Sequence, residues 1–330
     1  MPTTDERGRA RTWVLVVVVA VVGLGTGLLV RLGVGPLPDP DGCTARVGSE
    51  KVRLSPTQGR YAGLIAGIAV QRGLPARAVS IALATAFQES KLRNLAHGDR
   101  DSVGLFQQRP SQGWGSERQL RDPRYAINAF YDALVEINGY QSMRITEAAQ
   151  AVQRSGFPEA YEEHAAGARA LASALTGYSR AAFSCVVDEA DVPEEFAGGS
   201  GLTGRAERVR RDLVATFGDL SLGGFEPGGV SSGHMKGSAH YQGRAIDVFV
   251  RPINPDNKRR GWAIACYLVS QAERLHVDHV IFDGRIWSAG GRSQDGWRPY
   301  EPRVPSTASA STRKILEHRD HVHVDVARGT

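Results

Sequence analysis

Apolar residues recur at three- and four-residue steps in several stretches between Arg46 and Ser179: TQGRYAGLIAGIAVQRG, PARAVSIALATAFQES, PRYAINAFYDALVEING, TEAAQAVQRSG and PEAYEEHAAGARALASAL. That spacing puts the apolar side chains on one face of a helix, so the region reads as mainly helical. Glycine or proline marks most of the breaks. Asp188 to Gly204 (DEADVPEEFAGGSGLTG) is acidic and then glycine-rich, a linker by composition. Beyond it the pattern changes. RAERVRRDLVATFG and WAIACYLVSQAERL keep helical spacing, whereas RAIDVFV, HVIFDGRIW and HVHVDV read as strands, with Asp283-Gly284 as a hairpin turn. The second half is therefore expected to be α+β. No internal repeat is visible.

The N-terminus carries a different pattern. Trp13 to Val30 (WVLVVVVAVVGLGTGLLV) is uncharged and of membrane-spanning length. Arg7, Arg9 and Arg11 precede it and only Arg31 follows closely, which would leave the N-terminus in the cytoplasm and everything after Leu32 outside. An uncleaved anchor in the cytoplasmic membrane is the expectation, with a cleaved signal peptide as the rival; no small-x-small site follows the run. Cys43, in PDPDGCTA, lacks a lipoprotein lead-in. The expected organisation is a tail and anchor (1–31), a Pro/Gly linker (32–45), a helical domain (46–185), a second linker (186–204) and an α+β domain (205–330).

Composition adds less. A hydrophobic share of 42% and a charged share of 23% are those of ordinary globular domains, enough for each half to bury a core. The formal net charge of +5 suits a polyanion such as nucleic acid, an anionic membrane or an acidic cell wall, or reflects only arginine-rich composition. No cluster of basic and aromatic residues marks a nucleic-acid groove, so none is expected as a partner. Cys43 and Cys185 bracket the helical segment, and a disulfide between them would clip its ends. Cys266 falls in an apolar helical pattern and is expected as a buried free thiol.

Glu89 ends the helix PARAVSIALATAFQES, with Ala86, Thr85 and Ala82 on the same face. Apolar neighbours and the negative end of the helix dipole both favour the neutral acid. A carboxylic acid still protonated near neutral pH is what glycosidic cleavage requires. Nearby, Gly104, Gly113 and Gly115 permit close backbone approach. Gln107, Gln108, Phe106 and Trp114 offer amides and flat apolar faces suited to sugars. Here the chain resembles the lysozyme-like soluble lytic transglycosylase family in its actinobacterial form. Glu89-Ser90, Gly104-Leu105-Phe106-Gln107 and AVQRSGFPEAY, with Gln153, Ser155 and Tyr161, carry the resemblance, which covers about Arg46 to Tyr178. It implies a peptidoglycan glycan strand as substrate, contacted by Ser90, Gln107, Gln108, Trp114 and Tyr161. Glu89 would protonate the oxygen between MurNAc and GlcNAc, then act as base on the MurNAc C6 hydroxyl to close a 1,6-anhydro ring. A hydrolytic variant would need a second carboxylate, for which Asp99 and Asp101 stand nearby.

In the second half, GSAHYQGRAIDV sets His240 seven residues before Asp247. Catalytic zinc commonly takes three protein ligands. The C-terminal RDHVHVDV supplies a third: on a strand His321, His323 and Asp325 share one face while Val322, Val324 and Val326 share the other. His240, Asp247 and His323 then form a His-Asp-His set, with His321 close by as a proton carrier and Asp320 three residues before His323. The pattern resembles zinc peptidases related to D-Ala-D-Ala carboxypeptidases and the hedgehog fold, whose S-x-H-x-x-G-x-A-x-D motif falls on Ser238, His240, Gly243, Ala245 and Asp247. From about Phe217 onward, GRAIDV, VIFDGRIW, GW and DHVHV look like an actinobacterial extracellular domain often found after such a transglycosylase. The resemblance implies zinc on His240, Asp247 and His323, lowering the pKa of its water and polarising a peptide carbonyl while His321 or Asp320 takes the proton. Two departures stand out. Asp320 replaces the usual glutamate three residues before the last histidine. No arginine precedes the first, where the chain has Lys236. His234 adds a further donor.

The fold class expected from these readings is multidomain: an N-terminal transmembrane helix, a mainly α lysozyme-like domain, then an α+β zinc-peptidase-like domain. The expected function is membrane-anchored peptidoglycan remodelling by both sites. The alternatives are a transglycosylase carrying a non-catalytic zinc-binding wall-attachment module, and a scaffold in which both sites are vestigial.

Overall fold

A computed structural model describes residues 41–330, which form one compact unit. The apolar run Trp13–Val30 lies outside the described residues. The fold class expected from the sequence is corrected. Among the described residues no helix is long and apolar enough to cross a membrane. The stretch read as mainly helical also contains its own antiparallel sheet, so the described chain is mixed α/β on two antiparallel sheets.

The first sheet has the order β2-β1-β3: β1 (Gly42–Val47), β2 (Glu50–Leu54) and β3 (Phe183–Val186). Alternation explains it. Cys43 and Ala45 of β1, Leu54 of β2 and Phe183 and Cys185 of β3 turn inward, while Arg46, Glu50, Lys51 and Arg53 stay outside or at the margin. Cys43 pairs directly opposite Cys185, and the two form the expected disulfide, 142 residues apart. Closing so long a loop restricts the unfolded chain by about 5 kcal/mol at most. Cys43→Ser with Cys185→Ser is therefore expected to lower the denaturant midpoint strongly. A midpoint unmoved by the double substitution would contradict this assignment of the clip. Cys266 is free and buried, as expected.

The expected helices form: α1 (Pro56–Gln71), α2 (Ala76–Ser90), α3 (Pro123–Val135), α4 (Ile145–Gln153) and α5 (Ala165–Leu175). Ser55 caps α1 in a reciprocal box with Gln58, and Pro56 fills the first turn, where no backbone donor is needed. Past the linker come α6 (Gly204–Phe217) and α7 (Pro255–Ser270). The second sheet runs β4-β5-β9-β6-β7-β8, antiparallel throughout, from β4 (Leu222–Gly223), β5 (Ala245–Phe249), β6 (Val277–Phe282), β7 (Arg285–Ser288), β8 (Arg298–Pro299) and β9 (His321–Val326). α7 packs on β6 and β9.

The two halves share one hydrophobic core. α1 lies against α7, and a Cβ at Gly63 would run into the Ser270 hydroxyl, so glycine is what permits the approach. Trp287 and Trp297 of the second half donate their indole N–H groups to Cys185 O at 3.1 Å and Phe183 O at 2.8 Å. Asp212 of α6 accepts from Tyr267 at 2.6 Å and pairs with Arg274 at 2.9 Å and, across the junction, with Arg124 at 3.1 Å. The acidic linker is docked as well. Glu195 accepts from Arg205 N–H at 2.7 Å and pairs with its buried guanidinium.

Candidate functional site

β9 carries the expected alternation, yet all six residues are buried. β5 and β6 flank it, so the polar face is a row across three strands. Asp247 sits opposite His323, and His279 opposite Asp325. His240 comes from the short turn Ala239–Gln242 just before β5. Its Nδ1 lies 2.7 Å from Gly224 O. A carbonyl only accepts, so Nδ1 bears the proton, and Nε2 faces inward toward Asp247 and His323. Gly224 (φ +79) must be glycine here, because a Cβ would fall on the His240 ring.

His240 Nε2, His323 Nδ1 and Asp247 Oδ1 form a triangle with sides of 3.0, 3.1 and 3.3 Å. Donors around a tetrahedral ion at zinc bond lengths stand about 3.3 Å apart, so this triangle has the spacing of a preformed three-ligand face. Side-chain groups with donors near enough to hold a metal ion include His234, His240 and Asp247, and separately Asp278, His279 and Asp325. His323 turns its other nitrogen, Nε2, to Asp325 Oδ2 at 3.2 Å, and Asp325 Oδ1 is 3.0 Å from His279. A carboxylate behind a ligating histidine fixes its tautomer and orientation.

The electrostatics match. Burial opposes charge on His323, but the hydrogen bonds its ring donates to Asp247 and Asp325 outweigh it and push its pKa up to about 9. Burial also raises the Asp247 pKa. Hydrogen bonds accepted from His240 and His323 win, and its carboxyl is held far below the usual range. His323 thus sits between the carboxylates of Asp247 and Asp325.

Of the two proton carriers expected, His321 is the one placed at the site. Its Nε2 is 3.7 Å from Asp247 Oδ1 and its Nδ1 is 2.8 Å from Asp320 Oδ1. Asp320 stands behind it, its second oxygen held by Arg251 at 2.7 Å, and so reaches the site only through His321. Arg251, His318, His279 and the Asp325 contact to His323 escaped the sequence reading. Asp325 alone had a signal, its place on the histidine face of β9. His318 stands with its ring 4.6 Å from that of His321; burial first, then the charges on His323 and His321, lower its pKa to about 3.

The other expected site lies in the first half. Glu89 is half-buried in the last turn of α2, and Tyr161, from the turn Ala160–His164, donates to its Oε1 at 2.8 Å. Burial raises the Glu89 pKa against the opposing hydrogen bonds from Tyr161 and Gln153. Gln153 also donates to Phe106 O at 2.8 Å, tying the carboxyl to the glycine-bearing loop. It lines an open cleft of about 570 Å³ together with Gln112, Trp114, Ile137 and Arg154.

The remaining expected contacts divide. Trp114 and Gln153 face the cleft. Ser90 is buried and donates to Leu105 O at 2.6 Å, which anchors the loop. Gln108 is 2% exposed with its amide nitrogen 3.4 Å from Ala126 O, so it supports the loop from inside. Gln107, at φ +49, bonds back to Gly104 O at 3.1 Å. Asp99 is exposed beside Arg100. Asp101 accepts from Ser111 N–H at 2.8 Å and pairs with Arg109 at 2.7 Å, and these bonds, Ser111 first, hold its pKa far down.

The family described as VldE, C-terminal domain, matches residues 198–310, less than half of the chain. The match spans α6 through β8 and includes His240 and Asp247. It stops short of β9 and its two histidines. No curated protein matches the chain.

Proposed function

We propose that this chain is a peptidoglycan-remodelling enzyme acting outside the cytoplasm. In this reading Glu89 cleaves the MurNAc–GlcNAc strand as a lytic transglycosylase, and His240, Asp247 and His323 would hold a zinc ion that would supply the chemistry for trimming stem peptides. The observation that carries the reading is the Glu89 carboxyl. Burial raises its pKa, Tyr161 donates to it, and Gln153, which also bonds the carboxyl, lines an open cleft that includes Trp114.

Glu89 first gives its proton to the glycosidic oxygen. The resulting carboxylate is held by Tyr161 and Gln153 and then takes the proton of the C6 hydroxyl as that oxygen closes on the anomeric carbon. One carboxyl serves both steps. Asp101, already committed to Arg109 and Ser111, makes a poor second carboxylate, which favours ring closure over hydrolysis. At the other site a bound zinc supplies Lewis acidity toward a peptide carbonyl and its attacking water. His321, oriented by Asp320, receives the proton. The Cys43–Cys185 disulfide supports an oxidising compartment, where the wall is found.

Tyr161→Phe tests the acid directly. The lost hydrogen bond normally lowers the Glu89 pKa, so the alkaline limb of the cleavage profile is expected to move to higher pH. A limb that stays put or moves down contradicts the assignment. The function as a whole is tested by clearing of a peptidoglycan-containing gel by the full chain. Clearing is expected, and an intact gel would overturn the proposal.

A further inference from the structure

The chain between β4 and β5, residues 224–238, carries a donor that the three-ligand set leaves unused. His234 is half-buried, its ring stacked on His240 with centroids 3.9 Å apart and planes 20° apart. One of its ring nitrogens lies within 4.8 Å of donor atoms of both His240 and Asp247. Its backbone is latched to the turn that carries His240: Tyr241 Oη accepts from His234 N–H at 3.1 Å and donates to His234 O at 2.6 Å. On either side the chain passes through a glycine at positive φ, Gly233 (+87) and Gly237 (+82), with open space around each. Both glycines lie in a solvent-exposed run that includes Met235 and Lys236. A ring tethered through one tyrosine hydroxyl between two pivots can enter and leave the site without moving β5 or β9.

Three protein donors leave a zinc position open for chemistry, whereas four close the site. His240 and Asp247 belong both to the triangle with His323 and to a donor group with His234. We infer that His234 is a displaceable fourth ligand that closes the metal site at rest and yields its position to an entering substrate oxygen. The inference rests on the reading that His240, Asp247 and His323 hold zinc. It gives the glycine-rich loop a task, that of keeping an idle hydrolytic centre from reacting with whatever reaches it. The loop's exposed face then becomes the surface at which substrate binding is linked to opening. Tyr241 is the latch, and its loss should favour the open state.

The full chain answers this in three measurements that do not use activity. Wild type and His234→Ala should each bind one zinc, with the variant about tenfold or more weaker in competition with a chelator. With cobalt(II) in place of zinc, the visible absorption should drop in His234→Ala as water replaces the ring and coordination expands. Acetohydroxamate, a chelating probe that needs the open position, should bind His234→Ala more tightly than wild type, with Tyr241→Phe in between. An unchanged cobalt spectrum together with unchanged acetohydroxamate affinity in His234→Ala overturns the inference and leaves the three-ligand site standing. Wild type that takes up no zinc, or His240→Ala that takes up as much as wild type, overturns that underlying reading and the inference with it.

Discussion

Glu89→Gln is expected to abolish glycan cleavage, lowering the rate by three orders of magnitude or more, near the upper end of what a positioned general acid contributes (~10²–10⁴). The substitution keeps size and hydrogen-bonding shape, and Gln can still accept from Tyr161, so the fold should survive with an unchanged melting profile. What disappears is the transferable proton, and with it the base for the second step. The environment adds to the loss. The site raises the pKa of Glu89 by burial before anything else, and Asp101 is held in its loop by Arg109 and Ser111. Loss of clearing with retained folding is the expected outcome. Clearing by Glu89→Gln equal to that of wild type contradicts the assignment.

The second large effect is expected at the metal site. His240→Ala should abolish stoichiometric zinc binding at micromolar metal, because it removes one corner of a triangle whose sides are 3.0 to 3.3 Å. It also leaves Gly224 O without its donor. Zinc uptake by wild type should depend on pH in a defined direction. In the metal-free protein His323 is held as an imidazolium, its pKa pushed up to about 9, whereas a ligating nitrogen must be neutral. Binding near neutral pH therefore releases about one proton from His323, and apparent affinity should climb as pH rises toward 9. Calorimetry in buffers of different ionisation enthalpy reads that proton. Affinity flat between pH 6 and about 8.5, with no proton released, contradicts the placement of His323 between Asp247 and Asp325.

Much of this was legible in the sequence where one physical rule dominates. The alternation HVHVDV placed both histidines and Asp325 on one face of β9, and the register of β5 then set Asp247 opposite His323. The helical spacing before Glu89 anticipated its half-buried place. Other features depended on partners far along the chain. β1 and β2 are short, and Arg46, Glu50, Lys51 and Arg53 mask their alternation, so the hairpin was divided between the expected linker and the helical region. The acidic stretch 186–204 looked like a free tether. In the folded chain Glu195 finds Arg205, and the two halves merge through α1 and α7. Arg251 meets Asp320 only because residue 251 follows β5 where residue 320 precedes β9, a neighbourhood set by strand pairing. Gln108 was expected as a sugar contact for its amide and Ser90 from the resemblance, but both are buried and support the loop that carries Trp114.

The most direct test of the central claim is digestion of purified peptidoglycan by the full chain in water enriched in heavy oxygen, with mass analysis of every product. Ring closure by Glu89 consumes no water. The account predicts glycan ends that carry a 1,6-anhydro ring and no heavy oxygen, absent from digests with Glu89→Gln. Reducing sugar ends labelled with heavy oxygen, or glycan strands left uncut, would contradict it.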